Sequence, residues 1–203
     1  MIDLIVKGGI VMYPIIICSI IALAVFLERL LVLRRKLVIP REFVHDVEEQ
    51  IKKHKISEAL FLCQNDTSSI AKIFLAGLKN TGRGMWLVKE AIEDRGGREG
   101  VMLEKNVGIL STIANLTPLL GLLGTVSGMI KTFKVISQAG GNPSLLAGGI
   151  AEALITTAAG LCVAIPTLVC YRILKDKVES LIFEMEESSI RIIELMENSR
   201  ERD

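Results

Sequence analysis

From Val107 to Ile130 the chain runs for 24 residues without a charged side chain, more than the roughly 20 that a helix needs to cross the hydrocarbon core of a bilayer. The segment reads as a transmembrane helix. Along it and just past its end, Ser111, Ala114, Pro118, Gly121, Thr125, Gly128 and Thr132 recur at alternating steps of three and four, which places them on one face. All are small, hydroxylated or proline, while Leu116, Leu119, Leu122, Leu123 and Ile130 cover the other faces. A second apolar segment, Leu145 to Tyr171, repeats the pattern through Ala153, Thr157, Gly160, Ala164, Thr167 and Tyr171. Small residues let helix backbones approach closely in lipid, where no hydrophobic force joins one apolar helix to another, so close packing accounts for both stripes. Glu152 is different. An ionised acid at the centre of a membrane helix costs about 2.5–3.5 kcal/mol or more, so it tends to face a bundle interior or a wet cavity. It lies about 10 Å in from Leu145 at 1.5 Å per residue, near enough to snorkel to the surface. Physics alone leaves function and packing both open for it.

The strings ANLTPLLGLLGTVSGM and GGIAEALITTAAGLCVAIPT resemble the second and third membrane helices of the ExbB/TolQ/MotA family of proton-channel motor subunits. The close match covers about 60 residues; the remainder agrees in layout. The resemblance implies a homo-oligomeric ring, a pentamer, around the membrane helices of two copies of a partner similar to ExbD or TolR. It also implies that the partner's membrane aspartate takes the proton while this chain supplies the surrounding hydroxyls and an acid. Carried over by motif position, the pore-lining residues are Thr125, Thr157 and Glu152. Thr156 adds a hydroxyl where the family often has alanine, and which of Thr156 and Thr157 faces the pore stays open: the stripe favours Thr157, whereas Thr156 shares a face with Glu152. Gly121, Gly128, Gly160, Ala153 and Ala164 are expected to form the packing seam. Ser127 stands where the family often has tryptophan, so no role passes to it.

Other parts of the chain fit a small polytopic membrane protein. Half of its residues are hydrophobic and the mean hydropathy is +0.47, whereas 4% aromatic residues leave only a thin interfacial belt. A net charge of +1 argues against a nucleic-acid partner. Gly8 to Leu27 is a further charge-free run of 20, long enough to span. It exceeds the usual core of a cleaved signal and is followed by Glu28 and Arg29 instead of a small-residue cleavage site. Pro14 is expected about two turns inside this span, with Pro40 ending an extension of the helix. Arg29, Arg34, Arg35, Lys36 and Arg41 follow the first span; Arg95, Arg98 and Lys105 precede the second; Arg172, Lys175 and Lys177 follow the third. Only Lys7, Lys131 and Lys134 stand on the other side, the last two in a short connecting loop. The positive-inside rule then places the amino terminus outside and the carboxyl terminus in the cytoplasm; the resemblance implies a bacterial inner membrane, where outside means the periplasm.

Periodicity between the first two spans predicts amphipathic helices at about 41–54 and 56–64, a third from Ile70 to Leu78 capped by the Asn65–Ser68 stretch, and a fourth from Met85 to Arg95 that stops at Gly96 and Gly97. His45 and His54 sit among charges and read as a solvated face, without the convergent ligands a metal needs. After Pro166 no glycine or proline follows, and the third-span stripe continues as Leu174, Val178, Leu181, Met185, Ser188, Ile192 and Leu195. Small residues give way to large ones, as a seam requires when burial in water replaces close packing in lipid. One helix of roughly 50 residues, about 75 Å long, is expected. The glutamates of the tail fit a solvated surface more simply than a cation funnel. The four cysteines form no CxxC pair and read as free thiols. No phosphate loop, nucleophile elbow or paired carboxylate points to an enzyme, a cofactor or a metal.

The fold class that emerges is all-α, an integral membrane protein with three transmembrane helices, the third extended into a long cytoplasmic helix. Its segments are 1–39, the first span and its extension; 40–106, a cytoplasmic helical region; 107–171, the channel helices and their loop; and 172–203, the tail. Three spans fit ExbB or TolQ better than the four-span MotA type. The expected function is proton-driven energisation of envelope proteins, of the TonB type with an ExbD-like partner, or of the TolQ type acting on a TolA-like protein, or surface motility. A purely structural ring is the reading from another class.

Overall fold

The computed structural model describes residues 8–139 and 143–200. Lys7 and residues 140–142 of the expected loop lie outside them. Every regular element among the described residues is helical: α1 (Met12–Val32), α2 (Arg35–Val38), α3 (Arg41–Lys52), α4 (Ile56–Asn65), α5 (Ser69–Leu78), α6 (Met85–Glu104), α7 (Val107–Ala139) and α8 (Pro143–Arg200), with a short 3-10 turn at Thr81–Arg83. Three helices are long and apolar enough to cross a membrane, within Met12–Val32, Met85–Lys134 and Ala147–Asn198. The chain forms two compact units, one from the described residues of Met1–Arg29 and Asn106–Leu174, the other from those of Leu30–Lys105 and Lys175–Asp203.

In the first unit α1, α7 and the first half of α8 carry the apolar spans. Pro14 falls in the first turn of α1 rather than two turns in, because the helix starts at Met12. There a proline costs nothing, since the N–H it lacks would have had no intrahelical partner. Nor does α1 extend unbroken to Pro40. It stops at Val32; Arg34 is extended (φ −75°, ψ 125°) and α2 is one separate turn. The break goes with the complete burial of Leu33 and an ion pair of 2.6 Å between Arg35 and Glu184.

The second unit is built around α5, which packs on α2, α4 and α6. Ser68 caps its first turn by accepting a hydrogen bond from the Ala71 N–H at 3.3 Å, and the Asp66 carboxylate accepts one from the Ser68 N–H at 2.7 Å. Ile70, Ile73, Phe74 and Leu78 are fully buried, and Phe74 stacks on Phe43 of α3 with ring centroids 6.4 Å apart. Burying a side chain of this size is worth about 1.5–3 kcal/mol, so this face holds the unit together. Val44, Val47 and Ile51 of α3 and Ala59 and Cys63 of α4 complete the core. Burial pushes the Cys63 thiol up to about 12, with the nearby Asp66 carboxylate adding to the effect, so it stays neutral. His54 serves through its backbone. At φ 59° it ends α3, donating its N–H to the Ile51 carbonyl while Lys55 donates to that of Gln50. That pair of bonds is the Schellman arrangement, in which glycine is the usual occupant.

Helix α6 does not stop at Gly96 and Gly97 but continues to Glu104. Each interior glycine costs about 1 kcal/mol relative to alanine, and the surroundings of this helix outweigh it. Ile92 and Leu103 on either side are buried, and Glu99 between them is 1% exposed with Arg95 at 2.7 Å and Lys72 at 3.8 Å.

Helix α8 is unbroken for 58 residues, close to the single long helix expected. Leu174, Val178, Leu181, Met185, Ser188 and Ile192 are buried along its second half. The last step differs: Met196, not Leu195, is buried, a shift of one residue as a 3.6-residue helix drifts from a strict seven-residue repeat. Two tail acids are engaged, Glu184 by Arg35 and Glu197 by Lys89 at 3.2 Å, and Arg191 reaches Glu48 at 3.4 Å.

Candidate functional site

The site lies along the contact of α7 with the first half of α8. Both helices carry an interior proline, Pro118 and Pro166, which leaves the Ala114 and Cys162 carbonyls without their intrahelical donors. Between them the backbones meet at glycines. A methyl group on Gly121 would lie 3.1 Å from Thr157 Cα, one on Gly128 2.7 Å from the Gly149 carbonyl oxygen, and one on Gly160 2.6 Å from that of Thr117. Partner numbers rise on one helix as they fall on the other, the mark of an antiparallel pair. Gly124 receives the Thr156 side chain itself. Ala153 and Ala164 are buried on the same stripe of α8. Among the small and hydroxyl residues of α7, Ala114, Thr117, Gly121, Gly124 and Gly128 are buried, while Pro118 and Thr125 are half-buried beside them.

The hydroxyls sort by environment. Thr156 is completely buried; its Oγ1 lies 2.6 Å from the Glu152 carbonyl oxygen and 3.1 Å from that of Gly8, and its single proton serves one at a time. Thr157 is half-buried and donates across the helix pair to the Gly121 carbonyl at 3.1 Å. Thr125, also half-buried, donates to the Leu122 carbonyl at 2.6 Å. Thr125 and Thr157 therefore converge on successive carbonyls of one turn of α7. Both hydroxyl oxygens keep lone pairs for a water or a further donor.

Glu152 does not join them. Among the described residues its carboxylate makes no hydrogen bond to Thr125 or Thr157; it pairs with Lys131, Nζ to Oε1 2.5 Å. The acid is 18% exposed and the lysine 54%. Gly9, at φ +69°, brings the backbone just before α1 so close that any Cβ there would collide with the carboxylate. Sequence reasoning missed this pair because it assigned Lys131 and Lys134 to a loop, whereas α7 continues to Ala139. The register gives only a weak signal: with Gly128 opposite Gly149, positions 131 and 152 lie one turn to either side of that contact, about 9 Å apart along the axis, a gap that two long side chains can close. Among the described residues no three His, Cys, Asp or Glu side chains converge on a metal-sized space.

An all-helical chain with three membrane-length helices and a glycine-packed, hydroxyl-bearing helix pair defines a class of membrane protein that buries polar groups along a span. Residues 65–187 match the model of the MotA/TolQ/ExbB proton channel family, and the chain belongs to that family. It is 38% identical over 184 residues to putative biopolymer transport protein ExbB-like 1 of Synechocystis, covering 86% of this chain and 70% of the relative. It is 32% identical over 195 residues to the Tol-Pal system protein TolQ of Haemophilus influenzae, covering 88% and 86%. Against biopolymer transport protein exbB1 of Vibrio cholerae the identity is 28% over 174 residues, covering 79% and 72%.

Proposed function

We propose that this chain is the ring-forming subunit of a proton-driven motor in a bacterial inner membrane, its amino terminus periplasmic and its carboxyl terminus cytoplasmic. Five copies surround two copies of a single-span partner similar to ExbD or TolR, and the output is energy for TonB-type transport across the outer membrane. The convergence of Thr125 and Thr157 on one turn of α7 carries this reading, because it leaves two half-buried hydroxyls at one depth of an otherwise apolar helix pair. Ringed around the partner, they hydrogen-bond water or the partner's aspartate as it gains and loses charge. Thr156 is used up inside the chain, and Glu152 biases proton entry on the periplasmic side. Segment 107–171 is then the channel, 1–39 its outer support, and 40–106 with 172–203 the cytoplasmic part. One charge moving through 100 mV releases about 2.3 kcal/mol, so several protons drive a mechanical step.

The TolQ-like reading, in which the same motor serves envelope maintenance through a TolA-like protein, is favoured by the near full-length match to the Haemophilus protein. Both readings share one test. The complex purified with its partner is expected to show the mass of five subunits and two partners and to pass protons in liposomes under an imposed potential. Proton flux no greater than that of a partner lacking its membrane acid would overturn the channel and leave a ring that only anchors.

A further inference from the structure

Oxygen atoms of three kinds lie near the point where the chain enters α1: the Glu152 carboxylate against Gly9, and the Gly8 carbonyl with the Thr156 hydroxyl beside it. Thr156 Oγ1 is 3.1 Å from the Gly8 oxygen, Glu152 lies one helical turn before Thr156, and the carboxylate is pressed against Gly9. A carboxylate with a backbone carbonyl from a non-helical stretch and a hydroxyl is the hard-oxygen set that small cations take, and unwound carbonyls at broken membrane helices are common sodium ligands. Here a cation is already present, covalently attached: the Lys131 ammonium, 2.5 Å from Glu152 Oε1. Lys134, one turn on along α7, adds a second positive charge to the same end of the helix.

We propose that Lys131 is a tethered substitute for an alkali cation, a positioning residue that neutralises the Glu152 carboxylate beside these oxygens and so makes the pathway carry protons in preference to sodium. This rests on the proton-pathway reading above. With the ammonium in place the carboxylate offers a sodium ion no net attraction, and a desolvated sodium ion has nothing to replace its water. A proton needs no such vacancy, since it passes between water, hydroxyl and carboxylate along hydrogen bonds. The lysine, half exposed, holds its place through one ion pair and not through packing.

The test is sodium and proton flux, measured side by side in liposomes holding the full complex with its partner, with choline chloride as the reference salt. Lys131→Gln is expected to raise the ratio of sodium to proton flux at least about tenfold, a change of about 1.4 kcal/mol in relative barrier. Lys131→Arg, which keeps the charge, is expected to hold the ratio at the wild-type level. An unchanged ratio in Lys131→Gln with protons still flowing overturns the proposal and leaves the channel reading intact; a wild-type complex that passes no protons overturns both. Where Lys131→Gln lowers the yield of assembled complex, recovery in sodium but not in choline supports the substitution of lysine for the ion, and equal loss in the two salts overturns it.

Discussion

Gly160→Leu is expected to prevent assembly of the membrane unit. A Cβ at this position meets the Thr117 carbonyl oxygen at 2.6 Å and Gly121 Cα at 3.3 Å, and both are backbone atoms of α7. No rotamer change relieves such a clash; only separation of the helices does. Separation would also break the hydrogen bond from Thr157 to the Gly121 carbonyl. Overpacking in a tight interior costs about 1–3 kcal/mol and occasionally more. Contact between backbones belongs at the high end, because there is no flexible side chain to yield. Thermal unfolding in detergent and the yield of assembled complex measure the effect. Gly148→Leu is the control: nothing lies within 4 Å of a Cβ there, and an open site of that kind changes stability by about 0.5 kcal/mol or less. Equal damage from the two substitutions would mean that α7 and α8 do not meet at Gly160.

Thr157→Val is expected to remove most proton flux while leaving the complex assembled. Valine keeps the shape and loses the hydroxyl, and a hydrogen bond between membrane helices is worth about 0.6 kcal/mol on average and about 1.7 at most. A large loss of flux at so small a cost in stability identifies a group that serves the proton. Thr156→Val is the contrast, since its hydroxyl is completely buried between α8 and the chain before α1. It is expected to lower the melting temperature by more than Thr157→Val does and to reduce flux by less. The reverse ranking would assign the pore to Thr156.

The three spans, the helices of the second unit and the continuity of α8 were legible because each depends on composition and period along one helix. Neighbouring positions of similar chemistry were not separable in that way. Thr117 and Pro118, Gly124 and Thr125, and Thr156 and Thr157 each offer two small or hydroxylated residues in succession, and only the partner helix decides which one turns inward. Lys131 was misplaced for a different reason: a charge was read as the end of a helix, when a helix continues past its apolar run wherever its backbone bonds are still satisfied. Glycine misled at Gly96 and Gly97, where tertiary packing overrides a local penalty that sequence reading takes at face value.

Because α8 carries its small-residue stripe and its large apolar stripe on one uninterrupted helix, the two are locked in phase like threads cut on a single screw. One residue inserted near Cys170 would turn everything beyond it by about 100°, taking Leu174, Val178 and Leu181 off the face they now bury. Seven residues bring the phase back to within about 20°, and eleven restore it with a small error of the opposite hand. Length variation between the two stripes is therefore quantised, and a helix able to drift freely in length elsewhere is permitted only these steps here.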